Sequence, residues 1–134
     1  MAEKIRVLLV EPMKKPKLVE IDHTLETLQN AVGGTVQAVY PYTDPVAILA
    51  DDDGKLKGYT PNRVLEDEDG VPYDILVGTF LIVGLTEDDF ASLPEELVRK
   101  YEEKFRWEEL FMRSREGHIL CMRMKPGEHP RVVF

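Results

Sequence analysis

The residues best suited to grip something are Asn62 and Arg63, set between Pro61 and Val64. A guanidinium is a planar fork of donors that holds a carboxylate or phosphate at two points, so Arg63 could anchor a ligand or a partner. The same pair also suits an internal clamp, with Arg63 on a nearby carboxylate and Asn62 satisfying turn backbone. Of the two, the clamp is the commoner use of Asn and Arg beside turns. Trp107, Phe111 and Met112, with Arg113 and Arg115 alongside, are the second candidate. These residue types either dock on a core or form an exposed partner surface, where Trp, Phe, Met and Arg are favoured.

Other chemistry-bearing residues point to less. Gly33-Gly34 could bring backbone amides to an anion, but the pair follows a helical stretch, whose end carries partial negative charge. It reads as a helix stop. His23, His118 and His129 show no HxxxH or HExxH spacing, so neither a zinc site nor a histidine catalytic pair is expected. No cofactor is expected either. Cys121 sits in an apolar run and reads as a small buried hydrophobe. Ser92 and Ser114 lack the setting of a nucleophile elbow. Asp51-Asp52-Asp53-Gly54 resembles part of a calcium loop, without its alternating ligands and closing glutamate.

Acidic clusters recur at Asp51–Asp53, Glu66–Asp69 and Glu87–Asp89, with pairs at Glu95-Glu96, Glu102-Glu103 and Glu108-Glu109. Carboxylates can imitate phosphates and occupy the basic groove of a DNA-binding enzyme. Against that decoy reading, lysines and arginines interleave residues 99–106, as on an ordinary solvated helix face. Residues 113–134 reverse the sign, with five bases against two acids.

The elements that must position these residues are legible in outline. Ile5–Val10 reads as a buried strand and Leu18–Ile21 as a short one. Thr24 is a plausible N-cap for a helix carrying Leu25, Leu28 and Val32, ended by Gly33-Gly34. Strands are expected at Val36–Tyr40 and Val46–Ala50, then a hairpin turning at Asp53-Gly54 toward Lys55–Tyr59. Pro61 suits the first turn of a short helical segment over Asn62–Leu65. After the acidic loop Glu66–Pro72, Tyr73–Val77 and Gly78–Gly84 follow, the latter so apolar that a central strand is expected. Thr86–Asp89 resembles a helix start, and Ser92-Leu93-Pro94-Glu95 has capping-box order. Leu93, Leu97, Val98, Tyr101 and Phe105 then fall on one face of an amphipathic helix. Ile119–Met124 is a further strand.

The 134 residues fit one domain with a real core, 43% of them being hydrophobic. The expected class is α+β: a single domain, residues 1–134, with a mixed β-sheet of about four to six strands and two main helices. With 25 acidic against 17 basic side chains, net −8, a nucleic-acid-coating role is disfavoured and no direct nucleic-acid binding is expected. One cysteine rules out an intrachain disulfide. No apolar run approaches the roughly 18 residues of a membrane span. Met1–Lys4 leads straight into strand-like sequence, so no signal peptide, and a cytoplasmic setting, is expected.

Several stretches together resemble a known family. Leu25-x-x-Leu28-Gln29-x-x-Val32-Gly33-Gly34, then Asp53-Gly54-Lys55-Leu56-Lys57-Gly58, Pro61-Asn62-Arg63 and Gly78-Thr79-Phe80-Leu81-Ile82-Val83-Gly84 occur in the order seen in the domain of unknown function 3846 family. Val7–Pro12 is similar as well. The resemblance covers residues 4–105 and leaves 106–134 as a C-terminal extension. It implies a setting in bacteria, phages, plasmids and conjugative elements, and it implies no reaction.

Three functions follow as expectations. The first is a non-enzymatic protein-interaction module, with an unidentified protein partner and with a homodimer compatible. The second is an acidic DNA mimic, an antirestriction-type inhibitor of a DNA-binding enzyme. The third is an enzyme using Arg63 and a carboxylate.

Overall fold

The computed structural model describes residues 3–134; Met1 and Ala2, where the leader reading begins, lie outside the described residues. Eleven strands and two helices follow in the order β1 (Lys4–Val10), β2 (Lys17–Asp22), α1 (Leu25–Val32), β3 (Val36–Val39), β4 (Val46–Asp51), β5 (Pro61–Glu66), β6 (Pro72–Val77), β7 (Phe80–Leu85), β8 (Phe90–Ala91), α2 (Glu95–Lys104), β9 (Glu109–Arg113), β10 (Ile119–Arg123) and β11 (Arg131–Val132). The class is α+β with two helices, as the sequence led us to expect. The strands number more than four to six because the chain builds three sheets: a six-stranded one in the order β2-β1-β7-β4-β3 with β8 on β7, the hairpin β5-β6, and a three-stranded sheet β11-β10-β9. Their pairings are antiparallel, so the main sheet is not a mixed one.

The run Phe80–Val83 forms the centre of the main sheet because both of its faces are covered. Alternate side chains of a strand point to opposite faces. Leu81 and Val83 thus join Ile5, Val7, Ala47 and Leu49 beneath Leu28 and Val32 of α1. Phe80 and Ile82 join Leu8, Val10 and Ile48 beneath Leu97, Val98 and Tyr101 of α2 and beneath Leu65 and Leu76 of the β5–β6 hairpin. The hairpin is itself covered on its far side. Val64 and Ile75 meet Phe111, Ile119, Cys121 and Val133 in a small third core under the β9–β11 sheet. The layers therefore run α1, main sheet, α2 with the hairpin, and C-terminal sheet.

Helix α1 starts and stops as its residues dictate. Thr24 Oγ1 accepts from Thr27 N–H, and Gly33, at φ +92°, closes the helix with its N–H on Gln29 O.

Four local expectations are corrected. Asn62–Leu65 is strand, not helix: Pro61 occupies the first strand position, where its missing donor is tolerated, and the segment is buried on both sides. Asp51–Tyr59 forms successive turns instead of a hairpin, with Gly54 N–H on Asp51 O, Lys57 N–H on Asp53 O and Tyr59 N–H on Gly54 O. Thr86–Asp89 is a tight turn into β8, closed by Thr86 N–H on Asp89 O and Asp89 N–H on Thr86 Oγ1. Ser92 does not cap α2, which has Pro94 at its N-cap and no side-chain cap. Its Oγ accepts from Arg6 N–H at 2.9 Å, tying the chain before α2 to β1, as does Leu93 N–H on Arg6 O.

Tyr59 explains two of the glycines. A Cβ on Gly33 would lie 2.8 Å from Tyr59 Oη, and one on Gly78 would lie 2.6 Å from Tyr59 Cδ2, with Gly78 at φ +72°. Gly78→Ala therefore combines a left-handed backbone with a clash against a ring. We expect it to lower stability by about 1–3 kcal/mol, read as an earlier urea midpoint at unchanged slope.

Candidate functional site

Asn62 and Arg63 lie inside the protein, facing carbonyls. Arg63 is 1% exposed and Asn62 fully buried. The guanidinium donates from Nε and Nη2 to Phe105 O at 3.3 and 3.0 Å, from Nη2 to Lys14 O at 2.8 Å, and from Nη1 to Asn62 Oδ1 at 2.7 Å and Asn62 O at 3.3 Å. Asn62 Nδ2 donates in turn to Val10 O at 3.0 Å and Gly78 O at 2.8 Å. Thus Oδ1 of Asn62 orients Arg63 while its amide joins the end of β1 to the β6–β7 turn. The internal partners are carbonyls, not the nearby carboxylate that a clamp of this kind suggested. Phe105 is the C-cap of α2, where the helix dipole is negative, which favours a cation there. Burial pulls the Arg63 pKa down, and the charges of Glu109 and Glu108 oppose that pull. With its donor fork turned inward, Arg63 is not presented to a ligand in the way the enzyme expectation required.

Residues 106–134 pack on the hairpin through a charged seam. Glu109, 5% exposed, accepts from Val64 N–H at 2.8 Å through Oε1 and from Arg123 Nε at 3.1 Å through Oε2. Its carboxylate thereby occupies a donor on the outer edge of β5. Glu66 takes Arg123 at 3.5 Å and Arg131 at 3.4 Å, and Glu128 completes the seam at 3.9 Å from Arg123. Cys121 of β10 turns its side chain inward toward the hairpin; burial, with Glu109 next in effect, pushes its thiol up to about 12. The sequence offered Glu66 and Glu109 only as members of acidic clusters. The missed signal was the alternation of Glu109 and Phe111, which puts both on one face of a strand.

The apolar group at Trp107, Phe111 and Met112 is divided by the same alternation. Trp107 is half-buried between Lys15 Nζ, 4.6 Å from its ring centre, and the Arg106 guanidinium at 5.1 Å. Phe111 turns inward to the third core. Met112 turns outward and is 46% exposed. Arg113 and Arg115 are exposed and make no ion pair among the described residues.

Register places more apolar residues on the outward face. Leu120 pairs with Met112 and with Val132, and Met122 pairs with Leu110. Met124 shares their parity one step further, its N–H on Glu108 O. Leu110, Met112, Met124 and Val132 are all more than two-fifths exposed. Six apolar side chains thus form one uncovered side of the small sheet.

Beside the β5–β6 hairpin, an open groove of about 450 Å³ runs between the end of α1, Gly58–Thr60 and Gly78–Thr79, with Pro12 alongside. Asn30, Tyr59, Thr60 and Thr79 supply its polar side chains, and the sequence alone singled out none of the four. Four of the stretches that carry the family resemblance converge here, through Pro12, Gly33, Gly58 and Gly78-Thr79, whereas Pro61-Asn62-Arg63 does not line it. Close by, Lys57 Nζ lies 2.6 Å from Asp51 Oδ2 and 3.3 Å from Gly33 O. Lys57, Asp53 N–H and Tyr59 hold the Asp51 carboxyl below the usual aspartate range.

The fold is a layered antiparallel α+β domain with a buried Asn-Arg clamp, a glycine-lined groove and an added C-terminal sheet. The model of the family described as Domain of unknown function (DUF3846) matches residues 5–106, and the chain belongs to that family. No curated protein and no solved structure matches it. The strands β9–β11 lie beyond the matched residues. Among the described residues, no helix is long and apolar enough to cross a membrane.

Three outcomes are expected. Arg63→Met should destabilise the protein by about 3 kcal/mol or more, since it strips several buried carbonyls of their donors. Arg63→Lys should rescue little, because an ammonium cannot span Phe105 O, Lys14 O and Asn62 Oδ1 together; urea unfolding reads both. Asp51 is ionised more readily folded than unfolded, so its contribution is complete above the ordinary aspartate pKa of about 4 and vanishes as pH falls through the lowered value. Asp51→Asn should therefore flatten the loss of stability below about pH 4, measured as urea midpoints across pH 2–6.

Proposed function

We propose that this chain is a non-enzymatic protein-interaction module, of the kind carried by bacterial mobile elements and phages and acting in the cytoplasm. The observation that carries the reading is the uncovered face of Leu110, Met112, Leu120, Met122, Met124 and Val132. Single exposed apolar residues are ordinary, whereas a contiguous patch of them marks an interaction surface. Methionine suits such a surface because its unbranched, polarisable side chain repacks against different partners. The Arg63 fork, the residue best able to hold a small anionic substrate, is engaged by internal carbonyls. That supports binding over catalysis.

The test is parallel capture from host lysate with the wild-type chain and with Met112→Glu, washed at low and high salt. Circular dichroism would verify that the exposed substitution leaves the fold intact. We expect a protein that survives the high-salt wash and is lost, at least tenfold, with Met112→Glu. A DNA-binding enzyme retained only at low salt and indifferent to Met112→Glu would replace this reading with the acidic decoy.

A further inference from the structure

We infer that the uncovered face of the C-terminal sheet takes a short amphipathic helix whose flanks are acidic. The inference rests on the interaction-module reading and adds the chemistry of the partner.

Size argues for a short segment. Strands lie about 4.8 Å apart and rise about 3.4 Å per residue, so three strands of up to five residues offer a footprint of about 10 Å by 17 Å. Stable interfaces between globular partners bury roughly 800 Å² on each side, far more than this face alone supplies. A helix is about 10 Å across and rises 1.5 Å per residue, so about eleven residues cover the footprint. A second copy of the same face would bring only an equally small patch.

Charge selects the flanks. Residues 113–134 hold five cations and two carboxylates, whereas residues 1–112 hold twelve cations and twenty-three carboxylates. The seam consumes Arg123 and Arg131 against Glu66, Glu109 and Glu128. Arg115 stays exposed at the β9–β10 turn, beside Glu116, and Lys125 stays exposed at the opposite end of β10. The apolar face is thus bracketed by cations on a molecule that is otherwise acidic. Acidic residues flanking the apolar stripe of a docked helix would meet these cations, and basic ones would not.

The probe is a stapled three-turn peptide with leucines at i, i+3, i+4 and i+7 and glutamates elsewhere, compared with its lysine counterpart. Methionine methyl resonances of the full chain report the site, with Met13 on the β1–β2 turn as an internal control. The acidic peptide should shift Met112, Met122 and Met124 but not Met13, and bind at least tenfold more tightly than the basic one. Arg115→Glu with Lys125→Glu should weaken it at least fivefold without disturbing the fold. Equal or tighter binding of the basic peptide would overturn the inference. So would the absence of binding by either, whether the methyl shifts follow protein concentration, as for self-association, or stay fixed. In those cases a lysate partner that depends on Met112 would leave the interaction module standing; losing that partner as well would remove both readings.

Discussion

Two adjacent side chains supply the contact on which the layers depend. Asn62 and Arg63 donate to carbonyls from the end of β1, the β1–β2 turn, the β6–β7 turn and the end of α2. These lie at the ends of regular elements or in the turns between them, where carbonyls most often lack a full set of backbone partners. One guanidinium and one carboxamide satisfy them from the centre of the fold. A buried charge is costly, and here the negative end of α2 and the nearby glutamates offset part of that cost. Neutral carbonyl partners also mean that the clamp itself does not titrate with acid.

From this clamp the molecule divides by chemistry. Toward α1, the main sheet is joined chiefly by apolar packing, with Lys57 linking Asp51 to the helix end at Gly33 O. Toward the C-terminus, packing is supplemented by carboxylate–guanidinium pairs, and Glu109 bonds to backbone where a neighbouring strand would otherwise pair. Glu109 thus guards an edge that would otherwise invite strand addition. The C-terminal sheet keeps one apolar face inside and leaves the other outside, because β9 and β10 are apolar on both sides. A sheet meant only to cover the hairpin would be polar on its outer side.

Much of the fold was legible where one force dominated. The central strand at Phe80, the cap at Thr24 and the helix stop at Gly33 follow from hydrophobicity, capping and backbone freedom. Asn62–Leu65 was misread because Pro61 suits both a helix start and a strand start, and only the cover supplied by distant residues decides between them. Ser92 was misread because its hydroxyl had a partner 86 residues away at Arg6. The candidate site was legible by residue type more than by role. Arg63, Trp107, Phe111, Arg113 and Arg115 stood out in sequence, but the burial of Arg63 depended on a strand at Asn62–Leu65 and that of Phe111 on alternation through residues 109–113. Leu120, Met122 and Val132 join Leu110 and Met112 only through pairing between strands, which no local pattern reveals.

Cys121 turns the docking of the C-terminal sheet into something that can be timed. Its thiol sits between that sheet and the hairpin, and it stays protonated while buried there. A thiol-specific reagent must wait for the sheet to lift from Val64 and Ile75 before it finds a thiolate. The lone cysteine is therefore a clock for partial opening of one layer, separable from global unfolding by its weaker dependence on denaturant.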